Sequence, residues 1–479
     1  MIVVRCGRAL SARPADGEVW NSVMTELFAK QALLPQGWCH NVRIILGEDG
    51  RFASVTPSTH SYGNIKCHDI VVPAQISLHS HAFQRAMAGL TEERKNPDDT
   101  FWTWRTLMYQ LAHHITPEQL QDVASFLYMQ MLQSGYTQVA EFHYLHNETD
   151  GRPYADPAEM SDRLATAAVD AGIGITLLPT LYAQAGFNGL LLRDAQKRFA
   201  TTPDRIARIA SDIRAKWAGS DLVKVGVGLH SLRAVDVADA AELLDISDRQ
   251  APVHIHIAEQ QREVEECVRV TGMRPVDYLS DRIGIDARWC LVHATHLSEQ
   301  EVTTIARSGA VAGLCPITEA NLGDGIFPFE DYIDQNGRFG IGSDSNVLIS
   351  PWEELRVLEY GLRLTRQKRC VGRPTGTKGA IGTWLYEQSL RGGAQACGQS
   401  GWGITPGARA DLCVLDSDAL SLPHLQGDNV ISSAIFAASR PPVRHVMCAG
   451  KWQIVDGRHA DEERITAAFH KAVRTLVNS

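Results

Sequence analysis

Two histidines separated by one residue, His79-Ser80-His81, close an apolar run, Ile70-Val71-Val72-Pro73-Ala74-Gln75-Ile76-Ser77-Leu78, that reads as a buried strand. Side chains two apart on a strand point to the same side, so the two imidazoles converge on one point. Convergent neutral imidazoles are half of a transition-metal site, most often a zinc site. Further polar residues recur at the ends of later apolar runs. They are Glu141-Phe142-His143-Tyr144, His230-Ser231-Leu232-Arg233, His254-Ile255-His256 followed by Glu259, then His293, and Ser343-Asp344-Ser345. Eighteen histidines placed at random would not keep landing there. His79, His81 and His256 supply three nitrogen ligands and Asp344 an oxygen ligand. That leaves a position for water, whose pKa a bound metal can lower to about 7. Asp344 can also serve as base and Glu259 can shuttle a proton to substrate. His293 can polarise the bond under attack or share the proton from water. His254 shares a strand face with His256 but lies deeper, and reads as a core histidine. A second metal would need a bridging carboxylate or modified lysine, typically at strand four, where this chain has Leu229-His230. One divalent metal is therefore expected, zinc first, although iron or manganese can use similar ligands.

Eight short segments rich in Val, Ile and Leu must position these groups: Ile70–Leu78, Thr137–Phe142, Ile173–Leu181, Leu222–Leu229, Pro252–Ala258, Trp289–His293, Ala310–Cys315 and Arg338–Gly342. Their weak alternation suits parallel strands buried on both faces. Helical spacing falls between them, over Pro157–Ala171, Asp204–Trp217, Val237–Ile246 and Ser298–Ser308, with Asp156 and Thr202 near the starts of the first two. The last opens Ser298-Glu299-Gln300-Glu301 like a capping box and ends at Gly309. Eight strand–helix alternations predict a TIM-like (β/α)8 barrel, whose active-site groups collect at the C-terminal strand ends. No Gly-x-Gly-x-x-Gly follows the first strand to favour an open doubly wound sheet. The flanks differ. Asn41–Val55 alternates as a hairpin about Glu48-Asp49-Gly50, and strand-like runs return after residue 405. The α/β fold expected is thus a metallo-barrel over residues 73–404, with outer helices in 351–400. A small β-sandwich domain is built from both chain ends, residues 24–72 and 405–479. Residues 1–23 are expected to be an extension of little functional role, with Met24 a natural start.

A chain of 479 residues suits a large domain plus a smaller one. With 44% hydrophobic and 21% charged residues it is globular, and a net charge of −9 argues against a nucleic-acid partner. Ten scattered cysteines without a Cys-x-x-Cys pair suggest reduced, buried thiols of a cytoplasmic protein. No apolar stretch approaches the roughly 20 residues of a membrane span, and the N-terminus is too soon polar for a signal peptide.

The His79-x-His81, His256, His293 and Asp344 set, with the return Gly407-Ala408-Arg409-Ala410-Asp411-Leu412, resembles the amidohydrolase superfamily. Longer segments are similar to those of formimidoylglutamate deiminases. They are Ser77–Leu90, Phe101-Trp102-Thr103-Trp104-Arg105, Ala140–Tyr144, His230–Ala234, His254–Gln260 and Thr318–Gly325. The resemblance implies hydrolysis of N-formimidoyl-L-glutamate to N-formyl-L-glutamate and ammonia, in histidine degradation, by a homodimer. It implies that Arg233 binds a substrate carboxylate, with Gln84, Arg105, Tyr144 and His230 as further donors. Arg105 beside Trp102 and Trp104 could equally stack, and Tyr144 could be core. Phe101, Trp102 and Trp104 could form a lid or simply pack. The family more often carries His where Asn346 follows Ser343-Asp344-Ser345. The rival reading is a deaminase of the same superfamily acting on a purine or pyrimidine ring, which would have little need for Arg233. A non-catalytic binding module on the same barrel would not require the acid–base set of Glu259, His293 and Asp344.

Overall fold

The computed structural model describes residues 26–61, 65–93, 101–187, 189–420 and 422–477. The expected extension 1–23 lies outside the described residues. Eight parallel strands close into a barrel: Gln75–Ser80, Tyr136–His143, Gly174–Leu181, the broken pair Val223–Val225 and Val227–Ser231, Val253–Ile257, Trp289–His293, Val311–Leu314 and Arg338–Ile341. Each pairs with its sequence neighbour, and strand one pairs with strand eight to complete the ring. Their side chains are almost wholly buried on both faces, as the near-continuous apolar runs require.

Two strands differ from the expected boundaries. The run Ile70–Leu78 is not one strand. Lys66–Pro73 belongs to the small domain, and barrel strand one begins at Gln75. Pro73 has no N–H for a ladder. The next two amides bond to different elements, Ala74 to Asp411 and Gln75 to Gly135. Strand four is interrupted at Gly226, where a side chain would run into the Pro252 carbonyl.

The helices start and stop where local chemistry dictates. Ser298 and Glu301 form the expected capping box for Glu299–Ser308, and Gly309 ends it with φ +75°. Thr202 caps Pro203–Lys216. Two helices that the spacing did not reveal, Phe101–His114 and Pro117–Ser134, join barrel strands one and two. Helix Ile381–Ala396 seals the barrel's lower end. Gly392 lies so close to the Phe339 carbonyl, and Gly393 to the Ile76 side chain, that a Cβ at either would collide.

The small domain takes four strands from residues 26–73 and four from residues 412–459. They form one continuous eight-stranded sheet. Arg51 bridges Arg409, and Phe52, Ala410, Leu412 and Met447 share one apolar core. Half-buried Arg409 ties this domain to the barrel, donating to the carboxylate of Asp411 and to the Thr137 carbonyl. No described helix is long and apolar enough to cross a membrane.

Candidate metal centre and active site

The C-terminal strand ends bring His79, His81, His256 and Asp344 together, with one ligand atom of each within 4.8 Å of the others. His79 Nε2 lies 3.2 Å from His81 Nε2 and 2.9 Å from His256 Nε2. Asp344 Oδ1 is 3.5 Å from His79 Nε2 and 3.3 Å from His81 Nε2. The ring orientations are set from behind. His81 Nδ1 donates to the Phe142 carbonyl and His256 Nδ1 to the His230 carbonyl, each at 2.9 Å. The neutral His81 and His256 rings therefore present bare Nε2 lone pairs toward His79 Nε2 and a carboxylate. Burial, with neighbouring imidazoles adding to it, holds His79 and His256 well below the ordinary histidine range. Burial likewise pushes His81 down to about 3, against its bond to Phe142. Converging acceptors of this kind repel unless a cation stands among them, so the donor set fits a divalent metal. His254 stays out of this group. Its Nε2 meets the Ala396 carbonyl at 2.8 Å in the floor of the barrel, as expected of a core histidine.

Asp344 divides its two oxygens. Oδ1 faces His79 and His81, while Oδ2 lies 3.7 Å from His293 Nε2. Glu259 Oε1 is 3.8 Å from the same nitrogen. Burial would lower His293. The charge of Glu259, then hydrogen bonding to Glu319 and the charge of Asp344, outweigh it and push His293 up to about 10. Burial raises Asp344 to about 7 against the pull of His293, a shift that a bound cation would oppose. The backbone here is strained. Ala258, His293, Ala294, Asp344 and Asn346 all have φ between +44° and +65°, at about 1–3 kcal/mol each for non-glycine residues.

Above the four ligands opens a cavity with about 490 Å³ not filled by protein atoms, part of it open solvent. It is lined by all five residues expected to hold substrate, Gln84, Arg105, Tyr144, His230 and Arg233, and by His81, His256, Glu259, His293 and Asp344. Gln84 Nε2 donates to Tyr144 Oη at 3.2 Å. Arg105 lies over the Tyr109 ring, 5.5 Å from its centroid, so it faces the cavity and stacks at once. Trp104, Met108 and Tyr109, from the same helix, complete the wall with Leu322. The side chains of Phe101 and Trp102 lie outside the described residues.

The amidohydrolase family model matches residues 70–453, and the model of the formimidoylglutamate deiminase N-terminal domain matches residues 24–66. A formimidoylglutamate deiminase of Pseudomonas aeruginosa is 49% identical over 457 residues, 95% of this chain and 100% of that protein. The chain belongs to the formimidoylglutamate deiminases of the amidohydrolase family. A crystal structure of an amidohydrolase from Brucella melitensis superposes with a TM-score of 0.91 at 45% identity, covering 94% of this chain and 99% of that one. An adenosine deaminase from Xanthomonas campestris with bound zinc shares the fold alone, with a TM-score of 0.79 at 20% identity over 95% of this chain and 98% of its own.

Several supporting residues of this formimidoylglutamate deiminase family member are not evident from sequence spacing. Fully buried Glu263 Oε2 stands 3.6 Å from Arg233 Nε, and Glu259 Oε2 3.8 Å from Arg233 Nη2. Glu141 accepts the Ala82 amide at 2.6 Å, directly after ligand His81. Burial pushes Glu141 up to about 8 despite that bond. Asn346 is wholly buried behind the ligands. Its Nδ2 reaches Ser80 Oγ and the carbonyls of His81 and Asp344, and its Oδ1 accepts from Ser343 Oγ at 2.7 Å. It thereby ties the strand-one ligands to the strand-eight ligand. Asn346→Ala is expected to weaken metal affinity by about 10–100-fold, the usual cost of removing a partner behind a ligand. A chelator-competition titration checks this, and unchanged affinity would show that the backbone alone holds the two loops in register.

Proposed function

We propose that this chain hydrolyses N-formimidoyl-L-glutamate to N-formyl-L-glutamate and ammonia in histidine degradation, with one zinc ion per subunit. The observation that carries the reading is a single cavity joining two guanidinium groups, Arg105 and Arg233, to the His/His/His/Asp cluster. A substrate with two carboxylates and an electrophilic formimidoyl carbon matches both ends. A neutral purine or pyrimidine ring has no carboxylate for either arginine to bind.

A divalent cation held by His79, His81, His256 and Asp344 would activate a water for attack on the formimidoyl carbon. Asp344 Oδ2 accepts the proton that this water loses, and His293 Nε2, 3.7 Å away, polarises the bond under attack. The substrate enters as the amidinium, so addition of the water oxygen leaves an –NH2 on the attacked carbon. Glu259, beside His293, passes the proton taken from water to that nitrogen as the C–N bond breaks and ammonia leaves. The remaining hydroxyl proton is released to solvent as the formyl carbonyl forms. Arg233 and Arg105 hold the glutamate carboxylates, with Gln84, Tyr144 and His230 as neutral donors. The family resemblance supports a homodimer, and the free described cysteines, most of them buried, support a cytoplasmic setting.

The test is ammonia release from N-formimidoyl-L-glutamate, beside its aspartate analogue and a panel of aminopurines and aminopyrimidines, with metal content measured on the same sample. Turnover of the glutamate compound, lost on chelation and restored by zinc, is expected. Turnover of a neutral ring alone would leave the metal cluster standing and remove the roles given to both arginines.

A further inference from the structure

Barrel strand seven supplies no metal ligand and none of the acid–base groups, yet the short helix that follows it, Pro316–Leu322, touches the groups that do the chemistry. Glu319 Oε1 lies 3.3 Å from His293 Nδ1 and accepts the Cys315 amide at 2.8 Å. Both side chains are buried. The preceding residue holds the other half of the site, since Thr318 Oγ1 lies 3.0 Å from Ser345 Oγ and accepts the Ser345 amide at 3.3 Å, next to Asp344. The helix is itself clamped, because buried Glu354 accepts the Ile317 amide at 2.9 Å.

We infer that Glu319 is a positioning residue for the hydrolysis, acting through His293. His293 sits at φ +65°, a conformation that a histidine keeps only when its surroundings fix it. The carboxylate of Glu319 accepts a hydrogen bond from Nδ1–H, which turns Nε2 toward Asp344 Oδ2 and Glu259 Oε1. With the ring free to turn about its Cβ bond, Nε2 would leave this position. The Cys315 amide fixes the carboxylate in turn, so Glu319 arrives pre-oriented rather than recruited by substrate.

This inference rests on the hydrolysis proposed above, and the wild-type assay separates the two. Failure of the wild type to release ammonia would overturn that reading before Glu319 is examined. With wild-type activity in hand, Glu319→Ala is expected to lower kcat by about 10–100-fold, with KM within about threefold and metal content unchanged. Glu319→Gln keeps an oxygen for both N–H donors and is expected to recover most of the loss. The decisive measurement is a double-mutant cycle with His293→Asn. Once His293 is gone, Glu319→Gln and Glu319→Ala should cost less than about threefold more, since coupled residues are not additive. A full additional loss in the His293→Asn background, equal impairment by Gln and Ala, or a change confined to KM would overturn the inference. If the Ala variant does not fold, Glu319→Met, which fills the space without an acceptor, takes its place in the cycle.

Discussion

Arg233→Met is expected to lower kcat/KM for N-formimidoyl-L-glutamate by about 10²–10³-fold, chiefly through KM. Truncating one member of a buried charge pair costs about 2–5 kcal/mol, and each 1.4 kcal/mol is a factor of about ten. Arg233 is only 8% exposed, and its guanidinium lies 3.6 Å from Glu263 and 3.8 Å from Glu259. Two effects therefore add. A substrate carboxylate loses its cation, and two buried acids lose theirs. Burial already raises Glu263, against the charge of Arg233. Without the arginine, Glu263 shifts further toward its protonated form, which limits the damage to the fold. Arg233→Lys separates the effects, because a lysine keeps the charge and loses the planar fork. It should fall between wild type and Met. Steady-state kinetics on the three proteins check this. A KM that moves less than about threefold in Arg233→Met would remove this residue from carboxylate recognition.

The strand ends were the most legible part of the molecule. Period-two geometry alone makes His79 and His81 converge, and the positions of His256, His293 and Asp344 follow from the rule that a barrel collects its chemistry at one end. The residues behind them carry no such signal. Glu263 stands in the amphipathic helix Gln261–Thr271, where an acid in the first turn is what helix electrostatics favours anyway. Only the three-dimensional path of Arg233 makes it a partner. Glu319 lies in a segment whose resemblance was plain, but its contact with His293 depends on a seven-residue helix turning back across the barrel mouth. The break at Pro73-Ala74 was hidden because both halves of the run are equally apolar, and burial does not say in which sheet. The helix Phe101–His114 escaped for a related reason. Its Trp104, Met108 and Tyr109 line the cavity as well as the core, which blurs the helical stripe.

Asp344→Asn is expected to keep metal while lowering kcat by at least about 10³-fold, the upper part of the range for a lost acid–base group. The basis is the division of labour between its oxygens. Oδ1 faces the Nε2 atoms of His79 and His81, and an amide oxygen can still stand there as a weaker ligand. Oδ2 faces His293 Nε2, and no amide can accept a proton at that position. The backbone favours retention of the side chain's direction, since the Asp344 amide bonds to His79 and its carbonyl accepts from His81, both at 3.0 Å. Asn also tolerates the left-handed φ of +44° that this residue adopts. Asp344→Ala removes both functions and should lose metal as well as turnover. Measuring metal per subunit alongside kcat for the two variants separates ligand from base. If the Asn variant is as metal-poor as the Ala variant, and added zinc restores its turnover, the carboxylate acts as a ligand only. The proton from water then belongs to Glu259, whose Oε1 lies 3.8 Å from His293 Nε2.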